Sequence, residues 1–193
     1  MVTILIPDEK RQIDDEKQLR AFLAPHGIYH ERWPLEERVN PDASQEEILS
    51  AYAPELKQLM EQGGYVTADV INVNPDTPNL EAMLDKFRKE HTHSEDEVRF
   101  ILKGRGLFHI HPKTGPVFAI QVEAGDLINV PKGTQHWFDL CNDRTIRAIR
   151  LFQDKSGWTP HYVEGSVHEK YQPVCFGPSH IPPGSAIERV IPV

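Results

Sequence analysis

The chain has little of what would place it outside the ordinary globular class. Cysteine occurs only twice, as Cys141 and Cys175, too few for a disulfide framework, and the default expectation is a reducing, cytoplasmic setting. Basic runs are missing: Lys and Arg number 21 against 29 Asp and Glu, a net charge of −8. Binding a phosphate backbone requires clustered cations, so no nucleic-acid partner is expected. No apolar run approaches the roughly 20 residues of a membrane helix, so no membrane association is expected. The opening Met1-Val2-Thr3-Ile4-Leu5-Ile6-Pro7-Asp8 lacks the basic start and long apolar stretch of a signal peptide. Internal repeats and low-complexity tracts are absent too.

Proline, in contrast, is abundant. Sixteen prolines crowd toward the C-terminus, which predicts little regular structure after about residue 153. A length of 193 residues suits one domain with a substantial core.

The N-terminal part reads as mixed α and β. Val2 to Ile6 is a short strand stopped by Pro7. Asp14 to Leu23 carries an apolar stripe of Leu19, Phe22 and Leu23, and Ile28 to Trp33 reads as a second strand. Ser44 followed by Glu47 has the capping-box spacing for a helix containing Ile48, Leu49 and Tyr52. Pro54 breaks that helix or opens another, ending at Gly63-Gly64. Tyr65 to Val73 is a strand, and Thr77-Pro78 caps a helix with Leu80, Met83, Leu84 and Phe87 on one face.

From about residue 91 the period becomes strand-like. The predicted strands are 91–102, 106–111, 117–122, 126–130, 136–140 and 145–152, joined by Gly- and Pro-containing turns. Short strands at this spacing predict a sandwich or barrel.

The chemistry concentrates in His91-Thr92-His93-Ser94-Glu95-Asp96-Glu97-Val98-Arg99. Side chains two apart on a strand share a face, so His91, His93 and Glu97 form a three-point clamp for a divalent metal, with positions left for substrate and dioxygen. Glu95 and Asp96 compete for the carboxylate role, and a strand that keeps its register favours Glu97. His136, after the turn Pro131-Lys132-Gly133, is positioned as a fourth donor. A second H-x-H, His109 and His111, has no acid at a matching offset and reads as hairpin-end or outer-surface residues. Arg99 has the inward parity of Glu97, and a guanidinium inside a barrel calls for an anion. Phe138 faces the same cavity; Phe87 and Trp158 are further candidates for its wall.

Two blocks carry a resemblance to the cupin superfamily. The pattern H-x-H-x3-E-x6-G fits His91, His93, Glu97 and Gly104, and G-x5-P-x-G-x2-H fits Gly125, Pro131, Gly133 and His136. Two non-ligand positions depart from it, at Asp85 and Leu140. The fuller wording around His91 to Gly106 and Pro131 to Asp139 resembles the acireductone dioxygenase family of methionine salvage.

That resemblance implies a mainly β fold with N-terminal helices and a single cupin barrel, a double-stranded β-helix or jelly roll. It would comprise an α+β extension over 1–64, the barrel over 65–160 and a Pro-rich tail over 161–193 wrapping the barrel. It implies that His91, His93, Glu97 and His136 hold one Fe²⁺ or Ni²⁺ per chain. Arg99 would be catalytic, stabilising an enediolate, and Phe87, Phe138 and Trp158 would line the substrate wall. The expected reactants are a small-molecule acireductone and O₂, and the expected state is a cytoplasmic monomer. Other readings are a cupin isomerase or epimerase acting on a sugar or sugar phosphate, and a non-enzymatic metal-stabilised binding cupin.

Overall fold

The computed structural model describes residues 2–35, 39–154, 158–165 and 167–175. Strand β1 (Thr3–Ile6) is buried throughout. Pro7 lacks the next ladder N–H and turns the chain through a 3-10 turn, Pro7–Glu9, into β2 (Arg11–Ile13), which the hydrophobic pattern had not marked. Helix α1 (Glu16–Leu23) starts where the Asp15 carboxylate accepts the Gln18 N–H, and it buries Leu19 and Leu23. Strand β3 (Tyr29–Arg32) follows.

The Ser44–Glu47 capping box forms as its spacing predicts. The Ser44 hydroxyl accepts the Glu47 N–H, and the Glu47 carboxylate accepts the Ser44 N–H. Helix α2 (Gln45–Ala51) starts there, and Pro54 sits in the first turn of α3 (Ala53–Gly63), where its missing N–H does no harm. After β4 (Thr67–Val73), helix α4 (Leu80–Arg88) begins at Asn79 rather than at Thr77. The Thr77 hydroxyl instead accepts the Asn74 N–H within the preceding turn.

The largest departure concerns the strands around the histidines. In place of strands 91–102 and 106–111, the chain forms a short β5 (His91–Thr92), a turn over 93–96, and one 15-residue strand, β6 (Glu97–His111). Gly104 bends β6 instead of ending it. Its φ is +76°, and a Cβ there would lie 1.9 Å from the Thr145 carbonyl oxygen, so only glycine fits. The remaining strands are β7 (Phe118–Glu123), β8 (Asp126–Val130), β9 (Gln135–Leu140), β10 (Ile146–Phe152) and β11 (His161–Tyr162).

Because β6 bends, its two halves belong to two antiparallel sheets. The first half lies between β8 and β10, which continue to β3 and β4. The second half lies between β9 and β7, giving the order β11-β5-β9-β6-β7-β1-β2. This is a mainly β fold of jelly-roll type, and the N-terminal strands β1 and β3 pair directly with β7 and β8. The main core, including Ile101, Phe108, Ile110, Ile128 and Phe138, fills the interior. A second core, with Val98, Phe100, Ile149 and Leu151, lies under α2 and α3 on the other face of the same strands. No helix among the described residues is long and apolar enough to cross a membrane.

Beyond β10 regular structure is sparse among the described residues, as the prolines predict: only β11 and a 3-10 turn, Val167–Lys170. The rest of the expected tail, 176–193, lies outside the described residues. The two cysteines, too few for a framework, form a single disulfide, Cys141–Cys175, across a separation of 34 residues. In the chain-entropy account, closing a loop of that length removes roughly 4 kcal/mol of freedom from the unfolded chain.

Candidate metal centre

Four side chains meet at one end of the interior. His91 on β5 lies opposite His136 on β9, and Glu97 is the first residue of β6. His93 is delivered by the 93–96 turn, where its carbonyl accepts the Gly133 N–H at 2.9 Å. One potential ligand atom from each of His91, His93, Glu97 and His136 lies within 4.8 Å of the others, and all four residues are buried. The expected donor set therefore converges, though through a turn and two strands rather than along one continuous strand.

The imidazoles are held in one orientation. Each Nδ1 faces a backbone carbonyl: His91 that of Lys89 at 2.6 Å, His93 that of Thr159 at 3.0 Å, and His136 that of Thr134 at 2.8 Å. Donation from Nδ1–H to those oxygens leaves every Nε2 as a lone-pair donor pointing inward. Among the described residues the buried Nε2 of His91 has no hydrogen-bond partner, while those of His93 and His136 face the Glu97 carboxylate at 3.1 and 3.0 Å. A buried polar atom is rarely left so, and a cation among these side chains would satisfy it. Three imidazole nitrogens and one carboxylate suit a divalent transition-metal ion.

The electrostatics agree with that donor set. Burial, with His136 nearby, drives the His91 imidazole down to about 4, so it is neutral at ordinary pH. Burial by itself would raise the Glu97 carboxyl. The adjacent Arg99 and the His136 and His93 imidazoles close to its carboxylate outweigh it and hold Glu97 well below the usual carboxylate range. A neutral imidazole and an ionised carboxylate are the forms a metal takes.

The rival acids are occupied elsewhere, which removes them as competing ligands. Glu95 accepts the Gln153 and Asp154 N–H groups at 2.5 and 3.0 Å. Asp96 accepts the Lys132 N–H at 2.9 Å and faces the Tyr65 hydroxyl.

Arg99 is 4% exposed, and its Nε donates to Glu97 at 2.6 Å. Its guanidinium carbon lies 5.1 Å from the ring centres of both Phe138 and Trp158 and 5.6 Å from that of Phe108. Trp158 also stacks on His93 and donates its indole N–H to the Asp96 carbonyl. The Phe138 ring occupies the space a side chain at Gly106 would need, 2.3 Å from a Cβ built there. Phe87 lies 6.2 Å from His91, centre to centre. Every expected site residue is thus brought to one neighbourhood.

Two elements escaped the sequence reading. Arg150 lies opposite Arg99 in the β10–β6 register, is gripped at both ends by Asp69, and covers Phe152 and Trp158. Its even spacing from Ile146 and Ala148 on β10 is the signal that it shares the interior face with them. The Thr159 carbonyl, which orients His93, carries no signal in residue type.

Comparison with known proteins agrees with this geometry. The sequence profile of the ARD/ARD' family matches residues 7–160. An acireductone dioxygenase of Picosynechococcus sp. is 43% identical over 174 residues, covering 90% of this chain and 99% of its own. One from Parasynechococcus marenigrum is 40% identical, covering 86% of this chain and 89% of the relative. In structure, the chain is similar to an acireductone dioxygenase from Bacillus anthracis with a cadmium ion in its active centre. The TM-score is 0.77 at 38% identity, covering 84% of this chain and 98% of that one. With the profile spanning most of the sequence and the relatives matched almost end to end, the chain belongs to the acireductone dioxygenase family.

Proposed function

We propose that this protein is a metal-dependent acireductone dioxygenase acting on 1,2-dihydroxy-3-keto-5-methylthiopentene and O₂ in methionine salvage. With Fe²⁺ the products are formate and 4-methylthio-2-oxobutanoate; with Ni²⁺ they are formate, CO and methylthiopropionate. The observation that carries this reading is the donor set within 4.8 Å, with the orphaned His91 Nε2 among it, beside a buried arginine.

His91, His93, Glu97 and His136 hold the ion. Bound there, Fe²⁺ or Ni²⁺ would supply Lewis acidity toward the enediol oxygens. The chain supplies the rest. Arg99 presents a fixed cation to the enediolate, and its rigid position between aromatic faces means that little reorganisation accompanies the reaction. Phe138 and Trp158, with Phe87 at the edge, form an apolar wall that takes the methylthioalkyl tail and excludes water. The carbonyls of Lys89, Thr159 and Thr134 keep the three imidazoles in the ligating tautomer.

We assign the enzyme to the cytoplasm as a monomer; light scattering on the purified protein should give the mass of one chain. Elemental analysis of the protein as isolated, with product identification under oxygen after iron or nickel loading, tests the main reading. About one metal per chain and two metal-dependent product sets are expected. Turnover that persists in metal-free His91→Ala contradicts it.

A further inference from the structure

The chain after the barrel bears directly on the centre. Trp158 stands against Arg99 and His93, and the Thr159 carbonyl faces His93 Nδ1. Strand β11 then pairs with β5, setting Tyr162 opposite His91, and the Val163 N–H donates to the Glu90 carbonyl at 3.1 Å. Three successive contacts of one segment thus support two of the four candidate ligands.

That segment buries little of itself. Of the described residues from 158 to 175, Cys175 alone is buried. It sits with Cys141, Leu5, Leu107 and Ala119 on the outer face of the sheet, bonded to Cys141. The remaining anchors are edge contacts. His168 and Tyr171 lie about Trp137, and the Tyr171 hydroxyl donates to Asp8 at 2.7 Å. Among its described residues the disulfide is thus the one buried anchor, and the other contacts are exposed or half-buried.

We propose that the Cys141–Cys175 disulfide is a thiol-exchangeable clasp on this strap, whose opening loosens the metal centre through β11 and the Thr159 carbonyl. The proposal rests on the metal-centre reading above and adds a control to it. The opening chemistry is exchange with a low-molecular-weight thiol. Its thiolate attacks one sulfur and gives a mixed disulfide, and a second thiol displaces the protein thiolate. Two small thiols are oxidised to one small disulfide while Cys141 and Cys175 each gain a hydrogen. The reverse reaction, with a small disulfide as oxidant, closes the clasp. Gln172, Pro173 and Val174 are exposed, so a local opening of the tail end admits the thiol.

The test uses full-length protein loaded with Ni²⁺, in oxidised and reduced forms, with reductant removed before measurement, beside Cys175→Ser. Alkylation before and after denaturation, read by mass spectrometry, counts free thiols. Amide exchange at Val163 and Ni²⁺ release to excess chelator are then followed. The proposal expects no free thiol in the oxidised form, and about tenfold faster Val163 exchange once the clasp is open. It also expects Ni²⁺ release several-fold faster in the reduced form. Cys175→Ser should match reduced wild type and ignore reductant. Two free thiols after treatment with a small disulfide, or equal Val163 exchange in both forms, overturns the proposal. The exchange readout does not require bound metal, so a chain that takes up no Ni²⁺ contradicts the metal-centre reading while Val163 still decides the clasp.

Discussion

Two H-x-H pairs with identical spacing, one on β5 and the turn after it and the other at the end of β6, meet opposite fates. His91 and His93 turn inward, where Glu97 and His136 join them. His109 and His111, at the far end of β6, take the outer face. There His109 stacks on Trp137 with ring centres 4.9 Å apart, and His111 pairs with Glu90 at 2.5 Å. The acids of the outer pair are also occupied: Glu90 holds His111, and Asp139 lies between His109 and Arg88. Spacing alone therefore does not make a metal site. What separates the pairs is whether a carboxylate and a third imidazole are left free to converge with them, and the bend at Gly104 sends the two ends of β6 to different environments.

The largest expected effect of that difference is on metal and turnover. His91→Ala should lose bound metal and reduce kcat/KM by more than the roughly 10–100-fold typical of changes outside the donor set. His111→Ala should keep both within about twofold, since neither His111 nor its partner Glu90 belongs to the converging donor set. Metal analysis and steady-state kinetics on the two variants make the contrast.

Next is the bend that separates the pairs. Gly104→Ala forces a Cβ into the Thr145 carbonyl at a positive φ, and should destabilise the fold by about 2–4 kcal/mol, read from urea midpoints.

The outer pair has a pH signature. Burial lowers His109 to about 4 from its ordinary 6.5. The unfolded chain therefore takes up a proton below 6.5 that folded His109 refuses until about 4. This share of stability is complete above 6.5 and is lost as pH falls toward 4. Asp139, raised to about 6 by burial, contributes in the opposite sense, gaining stability as pH falls through 6. Between pH 7 and 5, wild type should lose about 2 kcal/mol relative to His109→Phe. Urea denaturation at both pH values measures the difference, and equal changes in the two proteins would contradict it.

The smallest effect concerns Arg99. Arg99→Lys keeps the charge but gives up the flat contact with Phe138 and Trp158. It should lower kcat/KM by about tenfold while leaving metal content unchanged.

The candidate donors were legible because chemistry constrains them: the H-x-H-x3-E block and the histidine after a Pro-Gly turn have few other uses together. The route to their convergence was less so. Alternation reports which face a residue takes within a strand, but His93 reaches the centre from a turn, where parity has no meaning. Likewise Lys103-Gly104-Arg105 looks the same whether glycine ends a strand or bends one; the difference lies in the partners β9 and β10, far along the chain. Capping at Ser44 was readable because both partners are local, whereas the Arg150–Asp69 grip and the Cys141–Cys175 bond join residues 81 and 34 apart.

X-ray absorption at the nickel edge of the Ni²⁺-loaded protein asks most directly whether four side chains share one ion. The account predicts three imidazole scatterers with oxygen donors completing the shell, unchanged in His111→Ala and reduced by one imidazole in His136→Ala. A sulfur scatterer, or a His136→Ala spectrum identical to wild type, would contradict it.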